Sequence, residues 1–195
     1  MASSWKEITG KLNQDENFKI EFEKVYPNGI SGENIKHAIA QFEKTLVTPN
    51  SAFDQYLKGG NSALSDNAQK GYQLFLDTAC ATCHVGPAMG GQSYEKMGRV
   101  GNYFADRGNI TKADNGRFNV TGQEQDRYKF KVPTLRNIAL TQPYFHDGTI
   151  QALPKAVTMM AHYQMGVSLT SEQTEQLVEY LKTLTGEYKG KRLGQ

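Results

Sequence analysis

The sequence contains one strongly diagnostic motif, Cys80-Ala81-Thr82-Cys83-His84. The C-x-x-C-H pattern is the attachment signal for a c-type haem, in which two thiols bind the haem vinyl groups and the histidine is placed to bind the iron. The sequence has no other cysteines, so it lacks the second pair of a four-cysteine zinc site. A thioredoxin-like motif would follow a strand in a βαβ pattern, and no such pattern is visible. The motif therefore predicts one covalently bound haem c.

Composition and charge exclude several other classes of protein. The net charge is +2 over 195 residues, and the 22 basic residues are scattered rather than clustered, which predicts no binding to nucleic acid. No apolar run approaches the ~20 residues that cross a bilayer, so no membrane span is expected. The first residues lead straight into charged ones and do not resemble a signal peptide. Because haem c is normally attached outside the cytoplasm, we expect a periplasmic protein whose N-terminus is mature or re-engineered.

The rest of the chain predicts an all-α fold, a cytochrome c-like helical domain around one haem with long loops. A Ser4-x-x-Glu7 capping box starts the first helix. A second short helix stops at Pro27, and apolar residues at helical spacing make residues 33–47 the clearest helix.

Four more features organise the second half of the chain. Ser65 begins a helix that runs towards Cys80, another helix is expected around 153–164, and Thr170 opens a capping box for the last helix. Glycines and turn signals make residues 86–131 a long loop, and no alternation typical of strands is present.

The sixth ligand of the iron cannot be chosen from composition alone. It must come from a distant segment to reach the opposite haem face, which favours the methionines that follow His84 by the longest intervals. A packing role in the core is also a reasonable interpretation for each methionine. The candidates are His37, His146, His162, Met89, Met97, Met159, Met160 and Met165.

Three ordered blocks carry a resemblance to a known family. The blocks read AIAQFEKTL with TPNSAFD (38–54), GYQLF running into CATCHVG (71–86), and VPTLRN with TQPYFHDG (132–148), continued by MAHYQMG and LKTLTG (160–186). This set resembles the bacterial di-haem cytochrome c peroxidase family, specifically its C-terminal haem domain. Members of that family use two haems: the C-terminal one delivers electrons at high potential and the N-terminal one reduces peroxide.

The resemblance implies roles for individual residues beside the haem. His84 corresponds to the proximal ligand and Met160 to the distal ligand, a pair that raises the iron potential. Pro133 and Arg136 correspond to the segment beside the haem, where Arg136 would pair with a propionate unless it is simply a surface cation.

The resemblance also implies features at the domain boundary. His146 corresponds to a histidine near the interface with the other domain, where either a structural or gating role or simple packing is expected. The backbone carbonyls of Thr141 and Pro143 correspond to a calcium site whose remaining ligands would come from the absent N-terminal domain. Calcium prefers several oxygen ligands, so binding to this chain alone is expected to be weakened.

The single C-x-x-C-H motif departs from the family's two. We therefore expect residues 1–30 to be a helical remnant of the peroxidatic domain, residues 31–188 the cytochrome c-like domain, and residues 189–195 a tail. The leading interpretation is an electron-transfer domain that takes electrons from a small cytochrome c or copper protein and passes them to a separate peroxidatic haem domain. The alternatives are an active peroxidase that uses this haem or a second subunit, and a haem sensor or interaction module. A homodimer is a further expected association.

Overall fold

The computed structural model describes residues 3–194, in two compact units that divide between Val47 and Thr48. The end positions of the first and last predicted segments, 1–2 and 195, lie outside the described residues. The predicted domain bounds at 1–30, 31–188 and 189–195 remain a prediction. None of the helices in the described part of the chain has the length and apolarity needed to cross a bilayer.

The first unit consists of three helices, α1 (Trp5–Asn13), α2 (Glu16–Val25) and α3 (Gly32–Lys44). The predicted start of α1 is confirmed, since the Ser4 side chain accepts a hydrogen bond from the backbone N–H of Glu7 at 3.2 Å. Helix α3 ends before the predicted residue 47. The N–H groups of Thr45 and Leu46 donate hydrogen bonds to carbonyls three residues earlier, instead of the four residues of an α-helix.

The second unit contains six helices and four very short strands. The helices are α4 (Ala52–Leu57), α5 (Asp66–Asp77), α6 (Tyr103–Arg107), α7 (Phe118–Thr121), α8 (Leu153–Met165) and α9 (Ser171–Lys182). The strands pair antiparallel, β1 (Tyr94–Lys96) with β2 (Lys129–Lys131) and β3 (Glu187–Tyr188) with β4 (Lys191–Arg192). The predicted all-α, cytochrome c-like fold class is confirmed by this helical architecture.

Helices α5 and α9 form the centre of the core. Their predicted caps are confirmed: the Ser65 side chain caps α5, and Thr170 forms a complete capping box with Gln173 on α9. The two helices approach closely at Gly71, where an added Cβ would lie 1.9 Å from the carbonyl oxygen of Gln176. Large buried side chains fill the space around this crossing, including Phe75, Leu177, Tyr180, Leu181 and Leu184.

The predicted long loop over 86–131 is more structured than its composition indicates. It contains β1, β2, α6 and α7, together with short 3₁₀ turns at Lys112–Asn115 and Glu124–Asp126. The strands were not predicted because three residues are too few to show an alternation of polar and apolar side chains. Met97, Tyr103 and Phe104 from this segment form a second buried apolar cluster.

Candidate functional site

The C-x-x-C-H motif forms one tight turn directly after α5. Cys80 begins a 3₁₀ turn (Cys80–Thr82), and the backbone N–H groups of Cys83 and His84 both donate to the Cys80 carbonyl, at 3.3 and 3.1 Å. The two cysteines do not form a disulfide. Burial raises the pKa of the Cys80 thiol, so this side chain is a neutral thiol at neutral pH. Helix α5 therefore places both thiols and the His84 ring within a single turn of the chain.

The structure fixes which nitrogen of His84 is available to a metal. Nδ1 lies 3.3 Å from the carbonyl oxygen of Met89, and because a carbonyl only accepts, Nδ1 carries the proton. Burial lowers the pKa of His84, an effect that the carbonyls of Met89 and Pro133 partly offset. A neutral ring with its Nδ1–H held by the backbone presents Nε2 as a free base, which is the arrangement that metal-bound histidines use. The residues thus fit a haem c whose iron is bound by Nε2.

Met160 lies on α8, in surroundings different from those of the cysteines. Cys80 packs against the α5–α9 core, whereas Met160 packs against the cluster of Met97, Tyr103 and Phe104. The two sides of the expected site thus belong to two separate apolar clusters. A flat, apolar macrocycle between two apolar walls suits this division, because each face of the ring would contact a buried cluster.

Two other candidates for the sixth ligand have partners of their own. The sulfur of Met89 accepts a hydrogen bond from the Tyr180 hydroxyl at 3.7 Å in the buried core. His37 belongs to the first unit, where its ring nitrogens contact the Tyr26 hydroxyl at 2.9 Å and the Gln41 amide at 3.0 Å. Met159 packs on the same cluster as Met160, so it remains the nearest competitor.

Arg136 is fully engaged by neighbouring protein groups. Its guanidinium contacts Asp54 at 2.8 Å, the Ser51 hydroxyl at 3.0 Å and the Pro87 carbonyl at 2.8 Å. Burial is the largest single influence on Asp54 and raises its pKa, but the hydrogen bonds from Arg136 and Ser51 together outweigh burial, so the pKa is lowered. Arg136 therefore ties α4 to the segment that follows the haem motif, and its pairing with a propionate stays a prediction.

Thr141 and Pro143 lie in an irregular segment after the 3₁₀ turn at Ile138–Leu140, next to the cis Gln142–Pro143 bond. Within residues 3–194, neither of their carbonyl oxygens accepts a hydrogen bond. Two carbonyls without partners are compatible with the predicted calcium site, which needs further oxygen ligands.

A buried ionic network beside His146 was missed at the level of sequence. Asp114 is 1% exposed and accepts from Arg107 at 2.6 Å, from His146 Nε2 at 2.7 Å and from both the N–H and hydroxyl of Thr111. Arg107 also contacts Asp147 at 2.6 Å. The hydrogen bond from Arg107 is the largest cause that holds the pKa of Asp114 well below its usual range. Asp114 opens an Asp-Asn-Gly turn signal, and that pattern gave no sign of its partners.

His146 itself has a packing role in this structure. Its ring lies 4.5 Å from the Phe130 ring and 5.9 Å from the Phe104 ring, measured between centroids. These contacts and the bond to Asp114 show how the ring packs, and the gating role stays a prediction.

Comparisons with known proteins show which family this chain belongs to. A family model described as di-haem cytochrome c peroxidase matches residues 1–62, and one described as cytochrome c matches residues 68–185. The chain is 51% identical over 189 residues to the cytochrome c peroxidase Ccp of Escherichia coli (strain K12), covering 96% of this chain and 40% of that protein. It is 45% identical to the cytochrome c551 peroxidase of Nitrosomonas europaea, covering 87% of this chain and 50% of that protein. The chain thus spans half or less of the length of these relatives.

A solved structure is also similar. The crystal structure of a MauG-like protein associated with microbial copper homeostasis superposes with a TM-score of 0.76 at 26% identity. The match covers 95% of this chain and 64% of that one.

Proposed function

This chain belongs to the di-haem cytochrome c peroxidase family and contains a cytochrome c domain, and from this premise we propose that it is the family's electron-transfer haem domain. The observation that carries the proposal is His84, whose Nδ1–H is held by the Met89 carbonyl so that Nε2 is free for iron. Cys80 and Cys83 would hold the haem covalently, and Met160 would approach from the opposite apolar cluster. A haem c bound in this way supplies a one-electron couple of the iron.

The two proposed iron ligands set the properties of that couple. A thioether is a soft ligand that favours the reduced metal, so His84 with Met160 gives a high potential. The apolar clusters on both sides favour the state with less charge, which again is the reduced one. With His84 and Met160 both bound to it, a haem iron would leave no open position for peroxide. The role that fits is transfer of electrons and not reduction of peroxide.

The rest of the proposal concerns what surrounds the domain. We propose that a small electron-donor protein, a cytochrome c or a copper protein, reduces this haem, which in turn serves a peroxidatic haem domain elsewhere in the full enzyme. We further propose a periplasmic location and a calcium ion at the Thr141 and Pro143 carbonyls, completed by oxygen ligands from outside the described residues.

The test is a pair of measurements on the haem-loaded protein. We expect a low-spin spectrum with the thioether-to-iron band in the oxidised form, and rapid reduction by a small cytochrome c. Steady-state peroxide turnover in the range of ordinary enzymes, roughly 1–1000 per second, together with a high-spin oxidised spectrum, would contradict the proposal and indicate a peroxidase with an open iron.

A further inference from the structure

Gln164 connects α8 to the segment before α6 with all of its amide atoms. Its carbonyl oxygen accepts from the backbone N–H groups of Gly98 at 2.8 Å and Arg99 at 3.0 Å. Its amide nitrogen donates to the carbonyl oxygen of Lys96 at 3.0 Å. Gln164 follows Met160 by four residues on the same helix, so both side chains lie on one face.

The same segment also caps the end of α8. The last carbonyls of a helix have no partner within the helix. Here the carbonyl of Tyr163 accepts from the N–H groups of Val100 at 3.0 Å and Gly101 at 3.2 Å. Four consecutive N–H groups, those of residues 98–101, therefore converge on the C-terminal turn of α8.

The backbone of this segment is shaped for that approach. Gly98 has a φ of +83°, and a Cβ at this position would lie 2.5 Å from the Gly101 carbonyl oxygen. Met97, the residue before it, is buried in the cluster against which Met160 packs. The hydrogen bonds of Gln164 thus join α8, the helix that carries Met160, to the segment that contributes Met97 to the cluster around Met160.

We propose that Gln164 is a positioning residue for the axial methionine. By holding residues 96–101 against α8, it keeps the pocket around Met160 closed and keeps the thioether on the iron. The inference rests on the proposed function, in which Met160 is the distal ligand. Without the amide, the segment loses three hydrogen bonds at once, α8 gains freedom at its last turn, and an external ligand competes with Met160 more easily.

The experiment measures binding of imidazole to the oxidised, haem-loaded protein, together with the thioether-to-iron band. Gln164→Leu should bind imidazole at least about tenfold more tightly than the unsubstituted protein, a factor that corresponds to ~1.4 kcal/mol, and its band should weaken. Gln164→Glu keeps the two acceptor contacts to Gly98 and Arg99 but loses the donor to Lys96. We expect an intermediate affinity for this variant.

Lys155→Ala on the same helix is the matched control, since Lys155 is exposed and its ammonium forms no hydrogen bond or ion pair within the described residues. It should leave both measurements unchanged. Imidazole affinities equal to that of the unsubstituted protein in both Gln164 variants would overturn the inference, and Gln164→Glu alone decides it if Gln164→Leu does not fold. Absence of the band in the unsubstituted protein would instead contradict the proposed function.

Discussion

Asp114 shows at the scale of one residue how a charge can be buried in this protein. A carboxylate removed from water is costly unless its lone pairs are satisfied, and here each oxygen has a partner: Oδ1 has His146, and Oδ2 has Arg107 and Thr111. Arg107 is shared with Asp147, so it joins α6 to the irregular segment that precedes α8. The network thus stabilises the contact between α6 and this segment, beside the apolar cluster of Met97, Tyr103 and Phe104.

Replacement of Asp114 by Asn should be strongly destabilising. The substitution removes the buried one of the two carboxylates that Arg107 contacts at 2.6 Å, while the contact with Asp147 remains. Breaking a buried pair costs roughly 3–5 kcal/mol, and because Arg107 keeps one partner we expect a loss of about 3 kcal/mol. Urea unfolding followed by circular dichroism measures the free energy of unfolding. The control is Glu124→Gln, which breaks the exposed pair with Arg127 and should change little. A loss for Asp114→Asn no larger than that of the control would contradict the structural role of the network.

The same carboxylate predicts a pH dependence. Because the pKa of Asp114 is lower in the folded protein than in the unfolded chain, its contribution to stability is fully present above the unfolded value, near 3.9. That contribution is lost as the pH falls below that value towards the folded pKa. The free energy of unfolding should therefore drop between about pH 4 and pH 2, and the drop should be smaller in Asp114→Asn. Parallel curves for the two proteins would show that Asp114 is not responsible.

Met160→Ala tests the proposed distal ligand. The substitution should abolish the thioether-to-iron band, lower the reduction potential and open the iron to small ligands, because the soft sulfur that favours Fe(II) is gone. Met159→Ala is the matched control, since both methionines pack against the same cluster. If Met159→Ala removes the band and Met160→Ala does not, the ligand is one residue earlier on α8.

At the scale of elements, the parts that the sequence predicted are those with a local signal. The starts of α1, α5 and α9 could be read from Ser4, Ser65 and Thr170, because a capping side chain bonds to a backbone group only three residues away. Cys80, Cys83 and His84 were readable because their spacing alone defines the chemistry. The calcium ligands Thr141 and Pro143 and the distal ligand Met160 were predicted only from the resemblance to a family. No local sequence pattern distinguishes these residues from others of the same type.

The elements that escaped prediction depend on distant partners. β1 pairs with β2 across more than thirty residues, and Asp114 meets His146 at a similar separation. A single sequence does not show which residues more than thirty positions apart will come into contact. The glycine-rich composition of 86–131 was interpreted as a loop. Two backbone hydrogen bonds to Tyr163 of α8, three hydrogen bonds to the Gln164 side chain and the buried rings of Tyr103 and Phe104 order its central part.

The α5–α9 crossing predicts the effect of adding one methyl group. Gly71→Ala should destabilise the protein by about 2 kcal/mol or more, because its Cβ would lie 1.9 Å from a backbone oxygen of α9 and the helices must separate. Gly10→Ala is the control: this helical glycine has open space around it and should gain up to ~1 kcal/mol from helix propensity. Thermal unfolding measures both. Equal effects for the two substitutions would mean that the helices do not approach so closely.

At the scale of the whole molecule, the two units differ in how much they bury. Helices α1 and α2 have no buried residue and α3 has only Ile35, whereas α9 alone has five. Because burial of apolar surface is the main source of stability, the first unit should open at a lower free energy than the second.

Native-state hydrogen exchange measures this difference directly. Amides of residues 5–44 should exchange through openings that cost less free energy than those of α5 and α9, and urea should expose the first unit before the second. A single free energy of opening for both units would show that they unfold together. The Asp114→Asn variant should lower protection in the second unit and leave residues 5–44 unchanged.

The pairing of α5 with α9 also constrains how the chain folds. Helix α5 ends at Asp77 and α9 begins at Ser171, so the haem motif, strands β1 and β2 and helix α8 all lie between the two helices in the chain. Closing so long a loop costs entropy before any core contact offsets it, which makes folding slow. Until α9 packs on α5 the chain lacks its main apolar cluster, so we expect the thiols of Cys80 and Cys83 to stay accessible for covalent attachment of the haem until that late step of folding.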